Sequence, residues 1–555
     1  MAIDTERDIY QTHEVINQPT ALNRYNLFES DAALKEGVIQ GRAEWAHERL
    51  AAFGEKVGTP EYFEKGEIAN RVLPELETHD RFGKRVDQVK YHPAYHEMFA
   101  TGVAAEMHAL PWNTPKPGAH VARAATHYML SQIESGVGCP ITMTFAVVPA
   151  LRLQPEVAAV WEPRVTSTKY DPRFIPAEQK TGCTMGMALT EKQGGSDVRA
   201  NSTRAVPIGA EGPGQEYLLT GHKWFCSAPM SDAFLMTAYT DNGLSCFLVP
   251  RFLPDGTKNR FFILRLKDKV GNKANASSEI ELLDTWGIMV GDEGHGVRNI
   301  VQMIHHTRLD CSIGTAAIMR QALVQALHYT SGREAFGATL TDQPLMQNVL
   351  ADLAIEQEAA TALMMRLAQC YDDQMENPGS AYLVRLATPV AKYWITKRAP
   401  DLIYECMECL GGMGYVEETP LPRLFREGPV NSIWEGSGNV ISLDMLRAMD
   451  RDPETIPALL AEVEKARGAD KRLDAYIDSV KAEFVNLDAL QMRARRIIER
   501  LALVLQGALL VQRAPDFVAD AFCASRLGGD KGHAYGTLPP GVDAKRIVER
   551  AKVTV

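Results

Sequence analysis

No apolar run in these 555 residues approaches the ~20 needed to span a bilayer as a helix, which argues against a membrane-embedded chain. Internal repeats and low-complexity tracts are also missing, so solenoid and tail-like architectures drop out. A basic excess is absent too. Lys and Arg number 59 against 70 Asp and Glu, a formal charge of −11, so the surface as a whole does not draw in nucleic acid. Cysteine is sparse, nine residues scattered from Cys139 to Cys523, which suits free thiols in a reducing compartment rather than a disulfide framework. The single Cys-x-x-Cys, Cys406 to Cys409, has no second ligand pair and lies in a helical pattern, so no metal is expected. Met1–Arg7 carries early acids and no apolar core, and Lys552–Val555 is not a peroxisomal address, so the expected location is cytoplasmic. What remains is ordinary soluble composition, 45% hydrophobic and 23% charged, in a chain long enough for several cores.

Within that composition, one stretch carries chemistry: Asn431-Ser432-Ile433-Trp434-Glu435-Gly436-Ser437-Gly438-Asn439. A carboxylate between apolar neighbours loses hydration, which lifts its pKa toward a range useful for proton transfer. The same residues also read as a helix-entry loop, with Glu435 facing a helix dipole. These nine residues alone do not decide between the two.

Four further segments bear on the choice. Thr190-Glu191-Lys192-Gln193-Gly194-Gly195-Ser196-Asp197 follows a strand-like run and offers backbone N–H groups and short hydroxyl donors. Gly221-His222-Lys223-Trp224-Phe225-Cys226-Ser227 pairs aromatics with a hydroxyl on an expected strand, as a platform for a planar cofactor requires. Ser331-Gly332-Arg333-Glu334-Ala335-Phe336-Gly337 and Leu410-Gly411-Gly412-Met413-Gly414-Tyr415 each follow a long helical pattern. Each alone is also an ordinary turn, strand or helix cap.

Taken together and in this order, the five segments resemble the acyl-CoA dehydrogenase family over about residues 95 to 450. The Thr-Glu-Lys-Gln-Gly-Gly-Ser-Asp and Asn-Ser-Ile-Trp-Glu-Gly-Ser-Gly-Asn wording, the opening Thr12–Pro19 and the long C-terminal extension are similar to its AidB branch, the adaptive-response flavoproteins associated with DNA alkylation. The resemblance implies FAD. It places Thr190, Ser196, Phe225, Cys226 and Ser227 at the flavin, with Phe225 packing the ring and the Ser227 hydroxyl bonding flavin N5. Arg333, Gly411, Gly412 and Gly414 would meet the FAD of a neighbouring subunit. Ile433, Trp434, Gly436, Ser437, Gly438 and Asn439 would flank the base Glu435 and touch the cofactor. The family's Gln ahead of Leu-Gly-Gly is Glu408 here, which puts that contact in doubt. The alternative slot for the base, just before an Arg-Leu pair, is Thr307 and cannot supply a carboxylate, which favours Glu435.

The resemblance also implies an acyl-CoA or acyl-like substrate, a homotetramer and an unnamed electron acceptor. Its branch adds double-stranded DNA as a second partner, in an alternative reading with little acyl-CoA turnover. For that reading Arg493, Arg496 and Arg500 share one helical face, Lys545, Arg546, Arg550 and Lys552 form a second cluster, and Arg526 occupies the region of a DNA contact in the branch. Arg447, twelve residues beyond Glu435, faces either the same cavity or solvent.

The expected fold is α+β, mostly α, of the acyl-CoA dehydrogenase type. Residues 1–182 form a helical domain, 183–296 a β domain at the flavin, 297–450 a helical bundle carrying the base, and 451–555 a helical extension. Strands are expected at Tyr217–Thr220, Ala233–Thr240 and Ser245–Pro250, with a turn at Asp241–Gly243.

Overall fold

The computed structural model describes residues 12–374, 376–485, 488–530 and 532–553, so the readings placed on Met1–Arg7, Thr554 and Val555 lie outside the described residues. The chain opens with helices α1 (Ala32–Gln40), α2 (His47–Val57) and α3 (Pro60–Arg71). Asp31 caps α1, accepting from the Leu34 N–H, and its carboxylate also takes the Tyr128 hydroxyl at 3.0 Å.

A hairpin of β1 (Glu75–His79) and β2 (Arg85–Lys90) then interrupts the helices, where a wholly helical stretch was expected. Six further helices follow: α4 (Pro93–Ala104), α5 (Leu110–Asn113), α6 (Ala119–Ile133), α7 (Gly138–Ala146), α8 (Val148–Leu151) and α9 (Pro155–Val165). Pro93, Pro111 and Pro155 each sit in the first turn of their helix, where a missing N–H costs nothing.

The central sheet contains β3 (Met185–Ala188), β4 (Arg204–Pro207), β5 (Glu216–Ser227), β6 (Ala233–Thr240), β7 (Gly243–Pro250), β8 (Phe261–Leu266) and β9 (Ser277–Met289). Strands β6, β4, β5, β9 and β7 pair in a closed ring, with β3 added to β6 and β8 to β9. Closure removes exposed edges and leaves an interior filled by Tyr217, Leu219, Phe234, Phe247, Phe261 and Ile280.

The long α10 (Gly296–Gly332) follows and is buried along most of its length. A two-residue hairpin, β10 (Glu334–Ala335) and β11 (Ala338–Thr339), turns the chain into α11 (Pro344–Asp373) and α12 (Pro378–Cys409). Helices α13 (Leu421–Asn431) and α14 (Gly438–Arg451) complete the bundle. The C-terminal part is α15 (Thr455–Glu464), α16 (Lys471–Ala482), α17 (Leu490–Arg513), α18 (Asp516–Phe522) and α19 (Ala544–Ala551). Its apolar faces (Leu473, Ile477, Ile498, Leu501, Phe522, Ile547) merge into the same core as the bundle. The α+β, mostly α class expected from the sequence is the class observed.

One consequence concerns charge. Arg526 is buried, its guanidinium paired with Asp352 and with Glu356 at 3.1 Å, so the expected DNA contact there is corrected: its cation is spent inside the protein. Arg493, Arg496 and Arg500 all converge on one carboxylate, Glu483, at 3.0, 3.0 and 3.4 Å. Arg550 pairs with Glu36 and Glu358, and Lys552 with Glu549. Arg550 and Lys552 are thus matched by acids, whereas Arg493, Arg496 and Arg500 share the single charge of Glu483.

Candidate active site

The loop from Ser432 to Ser437 joins α13 to α14 and turns sharply at Glu435 and Gly436, whose φ angles are +57° and +107°. A left-handed non-glycine residue stores on the order of 1 kcal/mol, and persists when its surroundings hold it there. Two cations do so from long helices. Arg308 of α10 donates its Nε–H to the Glu435 carbonyl at 2.9 Å, and Lys392 of α12 donates to the Gly436 carbonyl at 2.6 Å. Arg308 is itself fixed by Asp444 of α14 at 2.6 Å, and Arg385 grips the other oxygen of the same carboxylate at 3.1 Å.

The Glu435 carboxylate accepts the Thr307 hydroxyl at 2.6 Å. Burial raises its pKa, while Thr307, Arg308 and Lys392 oppose the rise. Thr307 therefore occupies the slot that could not hold a base and instead hydrogen-bonds Glu435, the residue expected to be the base. Sequence reasoning missed Thr307 in this role, and missed Arg308, Lys392, Arg385 and Asp444 altogether. Arg447, by contrast, is exposed, so it contributes no cation to the cavity.

Cys139, at the start of α7, feels both the Glu435 carboxylate and the Ser227 hydroxyl, and burial pushes its thiol up to about 12. Cys139 thus lies near both Ser227 and Glu435. Phe225, two residues before Ser227 on β5, is half-exposed, with the Lys267 ammonium 4.7 Å from its ring centre. Cys226 points the other way, fully buried inside the sheet ring, so it can offer a ligand only its backbone.

The loop bearing Thr190 and Ser196 is docked beside this strand, its Thr190 carbonyl accepting the Trp224 N–H at 2.8 Å. Behind it Glu191 and Lys223 form a fully buried ion pair at 2.9 Å. Burial alone would raise the Glu191 pKa, but Lys223 and the donors Ser202 and Thr203 hold it down to about 2. Glu191→Gln is expected to leave the Lys223 ammonium buried with a weaker partner and to loosen this loop. An unsatisfied buried group costs ~1–3 kcal/mol, so cofactor affinity should fall by about tenfold or more, read by fluorescence titration of the apoprotein.

Arg333, Gly411, Gly412 and Gly414 are not brought to this pocket. Arg333 lies 26 residues beyond Thr307 on the same helix run, about 39 Å along the axis at 1.5 Å per residue, and donates to the Asn17 carbonyl. Gly411 and Gly412 are exposed with open space at the position of a Cβ. Asn439 is exposed in the first turn of α14.

This constellation sits between a closed sheet and a helical bundle, and comparison with known proteins assigns the class. Residues 186–285 match the acyl-CoA dehydrogenase middle domain and residues 294–449 the acyl-CoA dehydrogenase C-terminal domain. The fold and site are those of an FAD-dependent oxidoreductase of the acyl-CoA dehydrogenase type. Residues 17–172 match the adaptive response protein AidB N-terminal domain. The chain is 43% identical to the AidB protein of Escherichia coli (strain K12) over 520 residues, 93% of this chain and 95% of that one. It therefore belongs to the AidB-like acyl-CoA dehydrogenase family. Among solved structures, Caenorhabditis elegans ACDH-11 in complex with C11-CoA superposes with a TM-score of 0.82 at 27% identity, covering 94% of each chain. Butyryl-CoA dehydrogenase of Megasphaera elsdenii shares the fold, with a TM-score of 0.56 at 19% identity over 76% of this chain and 97% of that one.

The residues present suit a planar flavin. Phe225 offers an open ring face, Ser227 a hydroxyl, and the Trp434 indole N–H is buried with no acceptor among the described residues. No helix among the described residues is long and apolar enough to cross a membrane, and none of their His, Cys, Asp and Glu side chains form a metal-binding group.

Proposed function

We propose that this protein dehydrogenates an acyl-CoA thioester, with Glu435 removing the α-proton. The observation that carries the reading is the Glu435 carboxylate itself: raised in pKa by burial and bonded to Thr307 at 2.6 Å, on a loop held by Arg308 and Lys392. FAD, when bound, supplies the hydride acceptor for the β-hydrogen. The backbone N–H of Glu435, on a loop clamped by Arg308 and Lys392, polarises the thioester carbonyl where negative charge develops. Thr307 serves both states of the base. Its hydroxyl donates to the carboxylate, and after proton transfer it can turn to the Ile304 carbonyl, 3.0 Å away, and accept from the new acid.

The test is an anaerobic titration with short-, medium- and long-chain acyl-CoAs, following loss of oxidised flavin absorbance. Rapid bleaching by one chain-length class supports the reading, and no bleaching of a yellow protein by any of them overturns it.

The pH profile should have two limbs. Glu435 acts as base only when ionised, so the reduction rate rises with pH through its elevated pKa. Burial pulls Lys392 down to about 8, and above that pH its clamp on the Gly436 carbonyl loses its charge, so the rate falls. Lys392→Arg keeps the charge and should move the falling limb out of the accessible range. An unchanged falling limb in that variant would assign it to another group.

A homotetramer is part of the same reading. Phe336 at the tip of the β10–β11 turn is fully exposed, and Tyr415 nearly so, beside the glycines and Arg333 that lie far from this chain's own pocket. Sedimentation of the holoprotein tests it. Nine unpaired thiols suit a cytoplasmic location. The alternative, a duplex-DNA-binding flavoprotein with little turnover, rests on the exposed Arg496 and its neighbours, and predicts binding that weakens steeply with salt.

A further inference from the structure

The inference rests on the flavin reading of Ser227 and concerns what points its hydroxyl. Between β8 and β9 the chain forms a loop whose end, Ser277, pairs with the end of β5, and Lys269 lies in that loop. Its Nζ donates to the Asn275 carbonyl and to Ser277 Oγ, the latter at 3.3 Å. Ser277 begins β9 directly across from Ser227, and the two hydroxyl oxygens are 3.3 Å apart.

The polarity of this chain follows from elementary donor counts. An ammonium has only protons to give, so Ser277 must accept from Lys269. Ser277 keeps one proton, and the Ser227 oxygen is the acceptor it faces. Ser227 then accepts from Ser277, and its own proton is left to point away from the relay. Cys139 is the other group beside that hydroxyl; as a neutral thiol it is a weak acceptor and does not capture the proton.

We propose that Lys269, through Ser277, is a positioning residue that fixes Ser227 as a hydrogen-bond donor into the flavin pocket. A hydroxyl without such a relay divides its time between donating and accepting. The relay removes that freedom before the cofactor arrives, which is preorganisation at the edge that receives hydride. Lys269 is kept in place from behind by its loop. Asn275 donates to Asn272 at 3.0 Å, and Asn272 bonds Glu427 of α13 through its N–H at 2.7 Å and its side-chain amide at 2.8 Å. The same α13 leads into the Glu435 loop, so the base and the relay are anchored to one element.

A double-mutant cycle on FAD affinity tests the relay, read by fluorescence titration of apoprotein prepared from each holoprotein. Ser227→Ala, Ser277→Ala and Lys269→Met should each weaken FAD binding by about tenfold, the scale of one net hydrogen bond. Lys269→Arg, which keeps a donor, should restore most of the loss. Ser277→Ala or Lys269→Met added to Ser227→Ala should cost nothing further, because the relay then has no hydroxyl to aim. Full additivity in either double variant, or wild-type affinity in a folded Ser277→Ala, would overturn the proposal. Ser277→Ala removes one oxygen, so it carries the test if Lys269→Met does not fold. Wild-type apoprotein that fails to take up FAD at all would instead overturn the flavin reading on which the relay rests.

Discussion

Glu435→Gln is expected to give a folded, yellow protein whose flavin no acyl thioester bleaches at a measurable fraction of the normal rate. Glutamine keeps the shape of the side chain and can still accept the Thr307 hydroxyl, so the loop clamp from Arg308 and Lys392 to the backbone carbonyls is untouched. What disappears is the carboxylate that the proposed reaction uses to take the α-proton. A positioned general base contributes ~10²–10⁴-fold, and an α-proton this weakly acidic puts the expected loss at the upper end. Stopped-flow absorbance under anaerobic conditions measures it directly. A variant that bleaches at the wild-type rate would remove Glu435 from the mechanism, and Thr307 offers no substitute.

Much of this site could be read in the sequence because its chemistry is written in short contiguous words. Glu435 with its glycines, the Thr190–Asp197 loop and Phe225–Ser227 are each one turn or one strand, ambiguous alone, and it is their order along the chain that carries the family resemblance. The residues that hold Glu435 and its loop are different. Thr307, Arg308, Arg385 and Lys392 lie on long helices 128 to 43 positions earlier, where they read as ordinary helix-face residues. Only packing of α10 and α12 against the α13–α14 loop brings them to it. A usable signal did exist for two of them, since Thr307-Arg308 fills the slot of the alternative base. The β1–β2 hairpin escaped for another reason: its strands are short, mostly polar and half-exposed, so the alternation that betrays a buried strand is missing. Arg526 illustrates the limit for charge. Sequence counts a cation, but only the fold shows that Asp352 and Glu356, some 170 residues away, have already neutralised it.

Asp310→Asn should be the most destabilising near-isosteric change in the frame of the site. Asp310 lies on α10, one turn beyond Thr307, and its two oxygens receive both Nη groups of a fully buried Arg123 at 2.6 and 2.5 Å. Thr142 of α7 donates to the same carboxylate at 2.6 Å, and His127 of α6 lies 3.3 Å away. Three helices thus meet on one side chain. Burial would raise the pKa of Asp310, but Arg123 and His127 overcome it and hold the group far below the ordinary carboxylate range. A carboxylate depressed in the fold contributes its stability above the unfolded pKa near 4 and loses it only as pH falls through the folded value, so mild acid leaves this junction intact. Asparagine removes the negative charge and leaves the Arg123 guanidinium buried without a counter-ion, a loss of ~3–5 kcal/mol. Hydrogen exchange should show α6, α7 and the N-terminal half of α10 opening together, while the C-terminal helices α15 to α18 keep wild-type protection. Replacing both partners, Arg123→Met with Asp310→Leu, should recover much of the loss, since a buried pair exchanged for apolar groups of similar size is often neutral. Protection in Asp310→Asn equal to wild type would mean the charge pair does not hold the three helices. Because α7 carries Cys139 in its first turn and α10 carries Thr307, the same variant should also slow flavin reduction, through misplacement of the pocket walls rather than loss of any reacting group.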